Sequence, residues 1–524
     1  TLSNAGGTYS GVIGGTGGGL TLSAGTETLS GANTYTGATT ISGGTLKLGS
    51  SGALGTSSDG TTGTSSVTVS SGAALDLNGQ SVTRAAALTL TGTGVSTTGA
   101  LTNSSSSAST YAGLVTLGGA ATISAYSGDI TLSNAGTITG TFALTLDAQA
   151  SKSGTLSSII GTSTGTLTKT GAGTWTLSGA STYTGATTIS AGTLSVSSLA
   201  DGGSNSSIGA STNGASNLVI NGGTLQYTGS SVSTDRLFTI GTGTSGATIE
   251  VSTSGQTLTF ANAGSIGTTG TGTRTFTLTG VGNGSLAPIV ANDTSSNATS
   301  LTKTGTGTWT LSGASTYTGA TTVSAGTLQL GAAGGATNTP LGTVGSGTTV
   351  ASGATLDLNG YTLGTAEALT LNGTGVGGTA GALANSSGTA VTYSGLLTLG
   401  SDATVNATGS ITLSNAGTIT GSGSTLTLAG TATGSSMASI VGTGAGGLTK
   451  TGTGTWTLSG ASTYTGATTV SAGTLKLGAT GDATNTPLGT VGSGTTVASG
   501  ATLDLNGYTL GTAEALTLNG TGVG

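Results

Sequence analysis

The sequence predicts an all-β fold with little or no α-helix: a parallel β-solenoid running as one continuous rod. Three observations carry this. Apolar residues alternate with Thr in short runs, Gly punctuates the runs (103 of 524 residues), and long motifs return in tandem.

The strands come from the alternation. Trp309-Thr310-Leu311, Leu356-Asp357-Leu358, Leu369-Thr370-Leu371 and Leu475-Lys476-Leu477 all place apolar side chains two residues apart. That is the period of a half-buried strand. Thr is β-branched yet polar, so it suits an outer strand face. No segment sustains a helical period, and each interior Gly would cost a helix about 1 kcal/mol.

The turns come from Gly and Asn-Gly. Asn78-Gly79, Asn359-Gly360 and Asn506-Gly507 follow strand runs and suit corners that need positive φ. Pro288, Pro340 and Pro487 are the prolines of the chain. Pro340 and Pro487 lie in TNTPLG between runs, where a missing N–H is tolerated.

The solenoid follows from strand size. Strands this short and poor in apolar mass cannot close a sandwich core. Stacked coils solve this, because each strand pairs with the coils on either side. At about 20–25 residues per coil, roughly 21–26 coils are expected, a rod on the order of 100–125 Å at about 4.8 Å per coil.

The repeats set the organisation. LTKTGAGTWTLSGASTYTGATTISAGTL starts at Leu167, and a near-copy starts at Leu301 and returns unchanged at Leu448. A weaker copy starts at Gly25, with Glu27 where the others have Trp175, Trp309 and Trp456, which questions whether that position is a dry core site. The marker tyrosines Tyr35, Tyr183, Tyr317 and Tyr464 are 148, 134 and 147 residues apart. TLSNAG recurs at Thr1, Thr131 and Thr412, with TFANAG at Thr259, and LDLNG recurs at Leu75, Leu356 and Leu503. Residues 301–377 and 448–524 differ at three positions, Gln329/Lys476, Ala333/Thr480 and Gly335/Asp482. The expected organisation is one solenoid segment, 1–524, of a longer chain. Its tandem units run approximately 1–130, 131–258, 259–411 and 412–524, the last incomplete.

Composition narrows the chemistry. There is no Cys and no His, so no disulfide, no Ser-His-Asp triad, no Cys nucleophile and no zinc site of N and S ligands. Nine Lys and Arg against 15 Asp and Glu give a net charge of −6, which argues against nucleic acid. No apolar run approaches the roughly 18 residues of a membrane-crossing helix, and no signal peptide is read in this stretch. Charged residues make up 5% of the chain, against about 25% in ordinary domains. The chain is 34% hydrophobic, so it lacks the signature of disorder.

The motif GTLTKTGAGTWTLSGASTYTGATTISAGTL and its copies resemble the passenger-associated transport repeat (autotransporter-associated β-strand repeat) of autotransporter passenger domains. The resemblance covers roughly a quarter of the chain in four stretches. It implies a right-handed parallel β-helix, exported across the outer membrane and standing at the cell surface or outside the cell. It also implies that the repeat serves passenger transport and folding, with a translocation domain outside this segment.

Candidate sites are weighed against structural roles. Lys169, Lys303 and Lys450 of LTKTG could form a binding ladder and are expected to be spaced surface charges. Asp76, Asp357 and Asp504 lie between leucines and are expected to point outward. A glycosidase needs two carboxyls about 5–10 Å apart with tuned pKa values, which isolated aspartates do not supply. GTGAGG at Gly442 has the letters of a dinucleotide fingerprint but leads into a strand. The Trp and Tyr of WTLSGASTYTG could stack on sugar and are expected to pack in core and corner. The Thr pattern invites an ice-binding reading, weighed and set aside, and Asn297-Ala298-Thr299 matches a glycosylation sequon.

No catalytic, cofactor-binding or metal-binding residue is assigned, and no cofactor is called for. The expected function is a non-catalytic structural or adhesive extracellular protein, a stiff stalk or fibre segment of a secreted passenger. Self-association into a filament or sheath is an alternative, and a carbohydrate-active β-helix enzyme a further one. Expected partners are a host surface, a glycan or a neighbouring cell, not nucleic acid, and the chain is not expected to span a membrane.

Overall fold

In a computed structural model, which describes residues 1–55, 66–83, 86–241, 246–293, 297–345, 347–492 and 494–523, the regular structure is strand apart from three 3-10 turns. The architecture is a parallel β-solenoid of about 21 turns, the low end of the expected range. The chain divides into two compact units, Thr1–Asn262 with Gly267–Gly270, and Ala263–Ile266 with Thr271–Gly524.

In the first unit, Leu20–Leu22, Thr39–Ile41, Val67–Val69 and Leu88–Gly92 stack in parallel and in register. A second ladder runs through Gly25–Leu29, Gly44–Leu48, Ala73–Asp76 and Leu101–Thr102. The strand Val115–Ala125 joins both, its register shifting between Leu117 and Ala121. The second unit repeats the scheme. Thr299–Lys303, Thr321–Val323, Thr348–Val350 and Leu369–Gly373 form one ladder. Thr308–Leu311, Gly326–Leu330, Ala354–Asp357 and Leu383–Asn385 form another. Leu397–Ala407 again joins the two across a register shift. The one antiparallel strand pair among the described residues is Asn485–Thr486 with Gly489–Thr490, the short turn around Pro487.

In-register parallel stacking explains the composition. Some rows of the ladder carry a single residue type. Thr302, Thr322, Thr349, Thr370 and Thr398 form an outward column. The residues flanking them in each strand are buried. A buried Leu or Val contributes about 1.5–3 kcal/mol, and each coil has only a few, so stability accrues from neighbour to neighbour along the stack. The Asn-Gly corners fall as the sequence predicts: Asn78 and Gly79 have φ of 45° and 79°, Asn359 and Gly360 47° and 83°. Successive positive φ is a conformation that Asn and Gly tolerate best.

Candidate functional site

The recurrent residues of the repeat converge on the interior. Each marker Tyr plugs a corner. The hydroxyls of Tyr35, Tyr183, Tyr317 and Tyr464 lie 2.6–2.7 Å from Oγ1 of Thr39, Thr187, Thr321 and Thr468. Thr321 and Thr468 in turn donate to the Leu341 and Leu488 carbonyls of the next turn, at 3.4 and 3.0 Å. Burial pushes the Tyr183, Tyr317 and Tyr464 phenols far up, so they stay neutral. The next turn closes over the ring with a glycine. Gly342 has φ +88°, and a methyl there would lie 2.6 Å from the Tyr317 carbonyl and 2.9 Å from its ring. Gly342→Ala is therefore expected to cost at least about 1–2 kcal/mol, read as a lowered thermal midpoint. Tyr317→Phe, which keeps the ring and loses one hydrogen bond, should cost about 1 kcal/mol.

Trp175, Trp309 and Trp456 are buried, their exposure 1% or less, and this settles the position as dry core. Each indole Nε1 donates to a backbone carbonyl of an earlier turn: Asp147, Thr279 and Ala429, at 2.8, 3.2 and 3.1 Å. The register partner one coil back is Gly154, Gly284 or Ser435, leaving room for the ring. A methyl on Gly154 or Gly284 would sit 2.3 Å from the indole. Glu27, the counterpart in the first copy, is 9% exposed. Sugar stacking on these aromatics is ruled out by their burial.

The lysines correct the sequence reading. Lys169, Lys303 and Lys450 are not surface charges; each is 0% exposed. Their stems lie in rows of core residues, Leu146 and Ile189, Leu278 and Val323, Leu428 and Val470. Each ammonium donates to three carbonyls, two on the following corner and one on the equivalent corner of the next coil. For Lys303 these are Thr304 at 2.7 Å, Gly305 at 2.8 Å and Ala325 at 3.0 Å. Lys169 and Lys450 repeat the pattern. Desolvation lowers all three to about 8, so they remain charged at neutral pH. The first copy shows why the lysine is there. Leu22 takes its place in register, and the corner Ser23–Gly25 is one residue shorter than Thr170–Gly173. The longer corner turns more carbonyls inward, and the ammonium satisfies them.

The aspartates need a similar correction. Asp76 and Asp357 are 3% and 4% exposed, because a loop of the next coil covers them. Asp357 Oδ1 accepts from the Asn359 and Ser386 backbone N–H groups at 2.9 and 3.0 Å, and Oδ2 from Ser386 Oγ at 2.5 Å and Gln329 Nε2 at 2.9 Å. Asp76 binds Asn78 and Ser104 in the same way. Where Lys replaces Gln329, an ion pair forms: Lys47 to Asp76 at 3.8 Å and Lys476 to Asp504 at 3.5 Å. The Asp504 side chain is 41% exposed and also accepts from the Asn506 backbone N–H at 2.8 Å. Each aspartate thus latches a corner to its neighbour. A recess of about 280 Å³ beside Asp357, edged by Thr327, Gln329, Ala384 and Asn406, contains no free acid.

Three features were not found from the sequence. Arg236, 2% exposed, donates to the carbonyls of Ala200 at 2.8 Å, Ser211 at 2.9 Å and Gly209 at 3.0 Å, stapling the excursion between Ser198 and Asn213. Arg274 pairs with Asp293 at 3.0 Å. Glu367 is a buried carboxyl on a corner. The signal for Arg236 was its place in the alternating row Thr234, Arg236, Phe238, Ile240. Gly442 of GTGAGG ends a strand and leads through a turn into Leu448–Lys450, so no helix stands there to cradle phosphate. Asn297 of the sequon directs its amide to Asp293 at 3.2 Å.

Comparison with known proteins bears on the same residues. Residues 22–48, 167–196, 301–330 and 448–477 match the family described as passenger-associated-transport-repeat. The chain carries four such repeats. The last three matches contain the Lys, Trp, Tyr and Thr of the buried clusters, and the first contains Tyr35 and Thr39. A stretch of 57 residues, 11% of this chain, is 67% identical to the adhesin BmaC autotransporter of Brucella suis biovar 1 (strain 1330). The match spans 2% of that relative's length. No solved structure matches. The repeats and the relative uphold the resemblance to autotransporter passenger domains and mark a surface-exposed protein exported across the outer membrane. Among the described residues, no helix is long and apolar enough to cross a membrane.

Proposed function

We propose that this chain is a non-catalytic stalk segment of an adhesive surface passenger. One observation carries the reading: the recurring Lys and Trp of the repeats donate to carbonyls of neighbouring turns, and the Tyr reaches the next turn through the Thr it bonds. Repetition of such a unit supplies length and stiffness, and copying would gain a single active site nothing. The related protein is named an adhesin, which supports an adhesive role for the whole polypeptide. Its partner would be a host surface, a glycan or a neighbouring cell.

The near-identity of the copies at Leu301 and Leu448 provides the test. Deleting residues 301–447 joins equivalent points of the repeat and keeps the register. Cells displaying the full passenger with this deletion are expected to adhere as well per displayed molecule as cells with the intact protein. Lost adhesion by a displayed, protease-resistant deletion protein would place the binding surface in this segment and overturn the stalk reading.

A further inference from the structure

Glu367 lies on the corner between Ala354–Asp357 and Leu369–Gly373 and is 1% exposed. Its Oε1 accepts from Thr348 Oγ1 at 3.0 Å. Its Oε2 is fully buried and has no partner among the described residues, as is true of the nearby Thr365 hydroxyl. The adjacent coil closes tightly over this corner: Tyr393 donates its hydroxyl to the Glu367 carbonyl at 2.6 Å, and a methyl on Gly395 would collide with that carbonyl. The titratable groups electrostatically coupled to it are the phenols of Tyr317 and Tyr393, both pushed far up and neutral. Among the described residues, no Lys or Arg pairs with this carboxyl. The copy at Glu514 repeats the arrangement, with Thr495 Oγ1 at 2.9 Å and Oε2 again orphaned, though Glu514 is partly exposed.

We propose that the Glu367 carboxyl is a proton-binding site in the solenoid wall, seated when neutral, so that the turn around it tightens in acid and loosens as the carboxyl ionises. A buried carboxylate with no cation and an unfilled oxygen is a costly species. The protonated carboxyl sheds the buried charge and keeps the Thr348 bond, so it is the less costly form in this setting. Desolvation raises Glu367 to about 7 from an ordinary value of 4.5. With the folded value above the unfolded one, the stabilisation is fully present below about pH 4.5 and is lost as pH rises through about 7.

The molecule has its own control. Ala86 stands where Glu367 stands, its carbonyl taking the Tyr111 hydroxyl at 2.8 Å as Glu367 takes that of Tyr393. Hydrogen exchange of the full chain at pH 5 and pH 8, corrected for intrinsic rates, compares the two places. Protection of Leu369–Gly373 is expected to fall roughly 10- to 100-fold between these pH values. That of Leu88–Gly92 is expected to stay constant. Glu367→Gln should abolish the fall. Glu367→Ala, which copies the residue of the related corner, serves the same purpose should the amide fit poorly. An equal pH response at the two places, or a fall that persists in both variants, would overturn the proposal.

Discussion

Replacing Lys303 with Met should destabilise its coil by about 2–4 kcal/mol, although no surface charge interaction is lost. Met keeps the apolar stem in the row between Leu278 and Val323. What disappears is the donor for three corner carbonyls, Thr304, Gly305 and Ala325. Buried carbonyls left without a donor cost about 1–3 kcal/mol each when nothing replaces the bond, and some relaxation reduces the sum. Because a solenoid unfolds from coil to coil, the effect should be read by hydrogen exchange of the strands on either side of the corner, Thr299–Lys303 and Thr308–Leu311, rather than by a single global midpoint. A parallel substitution makes the cause specific. Shortening the Thr304–Gly307 corner by one residue in the Met variant, as the first copy does around Leu22, should restore part of the protection.

Trp309→Ala is expected to cost about 3–5 kcal/mol, the range for a large aromatic removed from a core. The indole fills the space above Gly284, which has no side chain to move into the void, and its Nε1 bond to the Thr279 carbonyl is lost as well. Neighbouring coils at Asn283–Leu286 and Gly326–Leu330 should lose protection together, because both pack on the same ring. The same substitution at Trp456 should be milder, since Ser435 beneath it leaves a smaller hole than glycine does. Equal losses at the two sites, or no loss at either, would show that the ring is not what spaces these coils.

Much of the fold is legible in the chain. Period-two runs, Gly and Asn-Gly corners and tandem motifs lead to short parallel strands in register, and Asn359-Gly360 turns out as the left-handed pair its letters suggest. The site was harder, for an instructive reason. Lys303 stands two residues after Leu301, which places both on one face of a strand, and that face is buried. Residue class points Lys303 outward and the strand period points it inward, and the period decides. Asp357 shows the reverse limit. Its direction, away from Leu356 and Leu358, was readable, but its cover comes from Ser386, 29 residues on and one coil away. Local pattern does not reveal which loop lands on which strand. Arg236 and Glu367 are less legible for both reasons: each is an ionisable residue on an inward position, held by partners from other turns.

The repeated Lys, Trp and Tyr side chains are sealed in the solenoid and serve its stacking. Lysine labelling of the folded protein with an amine-reactive ester, read residue by residue by mass spectrometry, tests it most directly. Lys47 and Lys476, about one-third exposed, are expected to react. Lys169, Lys303 and Lys450 are expected to stay unlabelled until the chain is unfolded. Labelling of these three at the rate of Lys47 and Lys476 in the folded protein would contradict the account.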